Sequence, residues 1–127
     1  MKIDIFTHII PPKYKEALFK KADRRFYGEN WDKVIAGTPA LSDLDNRFRV
    51  MGKYEGLSQV LTLASPAIEE AATPEDAVYL AKVANDEMAE LTVKYPNKFV
   101  AAVACLPLND MDAALKETDR AINDLKF

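Results

Sequence analysis

Gln59-Val60-Leu61-Thr62-Leu63-Ala64-Ser65-Pro66, Thr73-Pro74-Glu75-Asp76 and Phe99-Val100-Ala101-Ala102-Val103-Ala104-Cys105-Leu106-Pro107 decide the fold class. The first and third are nearly continuous apolar runs stopped by proline, the pattern of strands covered on both faces. The second is a helix start, with Thr73 as N-cap, Pro74 at the first position and acids in the first turn. Ala77, Leu80, Ala81, Ala84, Met88 and Leu91 then trace one helical face, and Pro96-Asn97 end it. Strand, helix and strand in that order imply a right-handed βαβ unit and a parallel sheet.

Working outward, Lys2 to Thr7 reads as a strand in which Ile3, Ile5 and Thr7 alternate with Asp4, Phe6 and His8, before Pro11-Pro12 stops it. A helical pattern covers Lys13 to Ala22, with Tyr14, Ala17, Leu18 and Lys21 on one side. Residues 26–42 carry no steady period and are punctuated by Gly28, Gly37 and Pro39, so a long loop or irregular excursion is expected there, with Trp31 as its anchor. A helix starting near Ser42, capped by Ser42 or Asp43, carries Leu44, Phe48, Met51 and Leu57 and ends near Gly56. Asn109-Asp110 open a last helix, with Ala114, Leu115, Thr118, Ile122 and Leu125 expected inward. The expected fold is α/β, built of parallel βαβ units in one segment over 1–127, with an irregular helical excursion at about 12–56.

The chain has 127 residues, a net charge of −3, 49% hydrophobic and 29% charged residues, the balance of one folded domain. The one cysteine, Cys105, excludes an internal disulfide, and one histidine with one cysteine excludes a self-contained Cys/His zinc site of about four ligands. No stretch approaches the roughly 18 apolar residues of a membrane span, and Asp4 interrupts what would be a signal peptide. A cytoplasmic protein without membrane contact is therefore expected. Lys13, Lys15, Lys20, Lys21, Arg24 and Arg25 cluster, but Glu16 and Asp23 interrupt them and no nucleic-acid motif accompanies them. A solvated helix face is preferred to a nucleic-acid patch.

Ligands of parallel α/β folds bind at the carboxyl ends of strands. His8 ends its strand and stands at the mouth of such a site, with Asp4 and Phe6 on the same side by two-residue alternation. Arg47 and Arg49 could grip a carboxylate, though a salt-bridge role on an amphipathic helix is preferred. Glu69-Glu70 and Asp86-Glu87 read as solvated faces, with a minor binding role open to the first pair. Cys105 reads as a small core residue, Asn85 as a hydrogen-bonded polar group in a helix, and Trp31 as either a loop anchor or a cover over substrate.

Met1-Lys2-Ile3-Asp4-Ile5-Phe6-Thr7-His8-Ile9-Ile10-Pro11-Pro12 resembles the opening strand of the amidohydrolase-2 family, which reads Asp-x-His-x-His before a proline-containing loop. That family includes aminocarboxymuconate-semialdehyde decarboxylase and related aromatic-acid decarboxylases. Arg47 to Met51 leading to Gln59 to Pro66, Ala84-Asn85-Asp86-Glu87 leading to Tyr95-Pro96-Asn97-Lys98-Phe99, and Ala104 to Asp110 resemble its later strands and helices. The order and spacing of these stretches carry the resemblance. It implies about three strands of a (β/α)8 barrel of about 250 residues or more.

The resemblance makes His8 the metal ligand carried over and the catalytic residue, with Asp4 supporting it. Phe6 stands where the family has its first metal histidine and would line a substrate pocket with Trp31. A phenyl ring offers a metal no donor atom. The implied cofactor is a divalent metal, zinc first, in a complete protein, and none is expected to bind this chain tightly on its own. The implied partner is a small carboxylated substrate, decarboxylated or hydrolysed. The last helix ends near Leu125-Lys126-Phe127, where a fourth strand should begin, leaving two apolar sheet edges unpaired. The expectation is therefore a segment of a longer enzyme, inactive alone, or else a homo-oligomer. The competing reading is a degenerate interaction module pairing its open edges. A flavodoxin-like phosphate binder lacks the necessary glycine-rich turn, with only four glycines in the chain.

Overall fold

The computed structural model describes residues 1–23 and 29–127. Three parallel strands, β1 (Lys2–Ile9), β2 (Leu57–Leu63) and β3 (Phe99–Ala102), lie side by side in chain order. Between β1 and β2 run α1 (Pro12–Lys21), α2 (Glu29–Gly37), a 3₁₀ turn (Pro39–Leu41) and α3 (Leu44–Met51). The short α4 (Ile68–Ala71) and the long α5 (Pro74–Lys94) join β2 to β3, and α6 (Met111–Asn123) follows.

The helix starts follow their side chains. Thr73 Oγ1 accepts from Asp76 N–H at 3.3 Å, Asp43 from Asn46 N–H at 3.0 Å and Asp110 from Ala113 N–H at 3.0 Å. The expected inner face of α5 is buried throughout. Ile9, Leu61, Phe99 and Ala102 pack with Met51, Met88 and Leu91 in one core cluster. Ile10, Tyr14, Leu18, Ile68, Leu80 and Ala84 form a second, which seats α1 and α4 on α5.

Several expectations change. The stretch expected to lack regular structure holds α2 and the 3₁₀ turn, while its residues 26–28 lie outside the described residues. Lys21 is exposed and pairs with Asp76 at 2.9 Å instead of facing inward. On α6 the buried stripe is Ala114, Glu117 and Ala121, whereas Leu115 (65% exposed) and Ile122 (55%) point away with Met111. The two stripes differ by one position, and small alanines let α6 approach α5 closely. Glu87 is buried and accepts the backbone N–H groups of Lys13 and Tyr14 at 3.1 and 3.0 Å, capping α1 where a solvated carboxylate was expected.

The apolar core of the sheet lies on the helix face. Val100 is exposed on β3, a strand expected to be covered on both sides, as is Val103 just past its end; Ile5 and Phe6 of the alternating β1 are exposed too. The outer edge of β1 is also not wholly open. Ile9 C=O accepts from Ala64 N–H at 2.9 Å, so alternation turns the polar groups of His8 and Ile10 away from β2. There Ile10 N–H donates to Leu41 C=O at 2.7 Å and the Arg47 guanidinium donates to His8 C=O.

Candidate functional site

The geometry of the site begins with one extra residue in β1. Asp4 pairs with Gln59 and Thr7 with Leu61, so three steps along β1 match two along β2. This is a β-bulge, and it resets the alternation of side chains. Gln59 and Leu61 share the helix face, so Asp4 and Thr7 share it too. Ile5, Phe6 and His8 take the open face.

The expected trio is thereby split. Phe6 and His8 stay together, their rings edge to face with centres 5.0 Å apart. Asp4 does not join them. Its Oδ1 accepts the Phe6 N–H at 3.1 Å across the bulge, and its charge favours the Arg47 cation on the helix side. The Asp4 carboxylate is thus engaged with the backbone at the bulge, while the side-chain contact to the His8 ring nitrogen comes from Thr62.

His8 is held in two ways. Its ring Nδ1 lies 3.1 Å from Thr62 Oγ1, on the neighbouring strand. Its carbonyl receives Arg47, whose other donors reach Ala40 C=O at 2.9 Å and Gln59 Oε1 at 2.8 Å. Arg47 is buried, and burial pulls its guanidinium below the ordinary range while Asp4 works against that shift. The expected salt-bridge or substrate-gripping role gives way to a scaffolding one. Arg49 binds Asn46 Oδ1 at 2.6 Å.

Thr62 also lines a recess of about 380 Å³ between the exits of β2 and β3, walled by Ala64, Pro66, Glu69, Val103 and Leu106. Trp31, on α2, donates its indole N–H to Ser65 C=O at 3.3 Å and packs against Phe19 with ring centres 5.4 Å apart. It ties the excursion to the loop leaving β2.

The far wall of the recess is clamped from α5. Asn85, fully buried, donates to Cys105 C=O at 2.9 Å and accepts from Cys105 N–H at 2.8 Å. It also donates to Glu117 at 2.7 Å, which Arg120 grips with two nitrogens while reaching Asp86 at 2.6 Å. Burial raises the Glu117 carboxyl, but the bonds from Arg120 and Asn85 outweigh it and hold the group below its ordinary value. Burial, assisted by the Glu69 and Glu117 charges, pushes the Cys105 thiol up to about 12, as befits a small core residue.

Sequence reasoning placed Asn85 and Cys105 correctly as internal groups but missed Thr62, Arg47 and Glu117 as parts of the framework. Thr62 sits one strand over from His8, and only the strand register reveals that neighbour.

Whether a metal fits can be asked of the donors. Among the described residues no group of three or more His, Cys, Asp and Glu side chains could hold an ion. His8 offers one nitrogen and Phe6 beside it offers none. These residues alone do not form a metal site.

Comparison with known proteins follows the same outline. No family model matches the chain. It is 39% identical over 83 residues to a gamma-resorcylate decarboxylase of Rhizobium sp. (strain MTP-10005), covering 65% of this chain and 25% of that protein. A gamma-resorcylate decarboxylase of Rhodococcus jostii (strain RHA1) is 34% identical over 100 residues, 79% of this chain and 30% of its own length. The structure superposes on 2,6-dihydroxybenzoate decarboxylase from Rhizobium with a TM-score of 0.74 at 32% identity, over 99% of this chain and 36% of that one. A dihydroxybenzoic acid decarboxylase from Polaromonas sp. JS666, solved with bound manganese and the inhibitor 2-nitroresorcinol, gives 0.74 at 27% identity, over 99% and 36%. An amidohydrolase II structure gives 0.70 at 25% identity.

The chain spans a quarter to about a third of the length of these relatives. The expected likeness to amidohydrolase-type decarboxylases is correct, and so is the α/β fold of three parallel strands. The interaction-module alternative finds no support among these relatives.

Proposed function

We propose that this chain is the N-terminal part of an amidohydrolase-type decarboxylase for a small carboxylated aromatic acid, forming about three βα units of a (β/α)8 barrel over 1–127. The observation that carries the reading is the pairing of Phe6 and His8 on the open face at the carboxyl end of β1. It occurs in a chain that superposes almost entirely on one third of a 2,6-dihydroxybenzoate decarboxylase. The uncovered stripe of Met111, Leu115 and Ile122 on α6, and the exposed Val100 on β3, support a further βα unit packing against this chain.

In this reading His8 is the residue of the chain that meets the reacting groups, and Phe6 lines the pocket with an apolar ring. Trp31 buttresses the pocket from α2. Decarboxylation breaks the bond between ring and carboxylate, releases carbon dioxide and returns a proton to the ring carbon. A fixed imidazole that binds a ligand or exchanges a proton through one nitrogen, beside an apolar wall, suits such a pocket. The relatives favour decarboxylation over hydrolysis as the reaction. A divalent ion, zinc as the resemblance implies or the manganese of the Polaromonas structure, would need its remaining ligands from outside the described residues. A cytoplasmic setting is part of the proposal; among the described residues no helix is long and apolar enough to cross a membrane.

The test is to express the reading frame that contains this chain and follow loss of 2,6-dihydroxybenzoate with release of carbon dioxide. Turnover that His8→Ala abolishes is expected. The 127 residues alone should give none, and turnover by them alone would overturn the view that the site is completed elsewhere.

A further inference from the structure

We infer that Thr62 is a positioning residue that fixes the tautomer of His8, leaving Nε2 as its unprotonated nitrogen. The inference builds on the reading of His8 as the working residue of the site, but it is tested without substrate.

A threonine hydroxyl carries one proton. Thr62 Oγ1 lies 2.6 Å from Thr7 C=O, and a carbonyl can only accept, so the hydroxyl proton is committed there. At its other contact, 3.1 Å from His8 Nδ1, the same oxygen must accept. Nδ1 therefore carries the hydrogen. A neutral imidazole has one N–H, so Nε2 keeps the lone pair. A histidine whose Nδ1–H is held by an oxygen is oriented to bind a ligand, or to take a proton, through Nε2.

The relay is anchored at both ends. Thr7 spends its own hydroxyl on Val60 C=O at 2.6 Å, so its carbonyl is the group left facing Thr62. Arg47 holds the His8 carbonyl from the outer edge, so main chain and ring are fixed independently. The bulge makes the arrangement possible by pairing His8 with Thr62 on the open face.

The chain contains one histidine, so every imidazole nitrogen signal in its NMR spectrum belongs to His8. Long-range proton–nitrogen correlation on the ¹⁵N-labelled chain, about two pH units above the ordinary imidazole pKa of about 6.5, reads the tautomer directly. The wild type should show a protonated Nδ1 and a bare Nε2. Thr62→Val keeps the β-branched shape and removes the hydroxyl. It should lower the Nδ1–H to Nε2–H ratio about fivefold, the factor one hydrogen bond supplies. Thr62→Ser should retain the wild-type pattern.

A protonated Nε2 in the wild type overturns the inference, whether or not any variant folds. So does an unchanged ratio in Thr62→Val. A wild-type chain that passes while the longer protein fails to decarboxylate would reject the proposed reaction and leave the tautomer assignment standing.

Discussion

Replacing Phe6 by histidine tests whether β1 holds two side chains at the spacing of a metal-binding pair. If two imidazoles bind one zinc ion through nitrogens at about 2.0–2.1 Å, each ring centre lies roughly 3.2 Å from the ion, and a tetrahedral angle sets the centres roughly 5.2 Å apart. The Phe6 and His8 ring centres are 5.0 Å apart. The strand thus holds two rings at that centre-to-centre distance, edge to face, so a second nitrogen there needs a turn of the ring to meet the same ion. Phe6 is 81% exposed, so the exchange forfeits little packing and should move stability by no more than about 0.5 kcal/mol. Titration calorimetry with zinc should find Phe6→His at least about tenfold tighter than the wild type, or about 1.4 kcal/mol. The gain should fade as pH drops below about 6.5, where imidazoles protonate and cannot coordinate. It should vanish when His8→Ala is added. An affinity equal to wild type, or a gain that survives loss of His8, would refute the argument from spacing.

Three further expectations concern the framework behind the pair. Arg47→Met should cost about 3–5 kcal/mol in urea unfolding, because charged hydrogen bonds are lost and the His8 and Ala40 carbonyls are stranded, with Arg47→Lys recovering only part; a loss under about 1 kcal/mol would show that the guanidinium is dispensable. Glu117 has a folded pKa below its ordinary 4.5, so its contribution is present above that value and lost as pH falls through the folded one. The urea midpoint should drop below about pH 4.5, and less steeply in Glu117→Gln; parallel curves would contradict the assignment. Cys105, its thiol pushed up to about 12 by burial, should react with iodoacetamide at pH 8 at least about tenfold more slowly in the folded chain than in urea, and equal rates would contradict that burial.

What could be read without coordinates depended on whether the signal was local. The start of α5 was legible because Thr73, Pro74 and the acids after them act on backbone groups within one turn. Its inner face was legible because helical period and burial coincide over many residues. The inner face of α6 was not, since Leu115 and Ile122 form the more apolar stripe while Ala114, Glu117 and Ala121 form the buried one. Glu117 is tolerated inside because Asn85 and Arg120, on two different helices, satisfy it. Glu87 was misread for the same reason, its partners being backbone groups on the distant α1. His8 was legible from its place before Pro11-Pro12, whereas its partner Thr62 follows only from the register of two strands.

Asp4 shows how much hangs on that register. Pairing with Gln59 fixes Asp4 on the helix face, and strict alternation from there would send Phe6 and His8 into the helix layer while turning Thr7 and Ile9 outward. That arrangement would bury an imidazole and expose Ile9, which in the structure is 1% exposed. The extra residue removes the conflict by letting Ile5 and Phe6 both lie on the open face before alternation resumes. The cost of the irregular ladder is met by side chains at the bulge itself. Asp4 takes the Phe6 N–H, the Thr7 hydroxyl takes Val60 C=O, and Thr62 takes Thr7 C=O. Each is a short polar residue whose local bonding competes with regular structure, the property that lets it stabilise an interruption. The residues that break the strand's period are therefore also the ones that deliver His8 to the open face, and Asp4 serves the site through the backbone instead of through the imidazole.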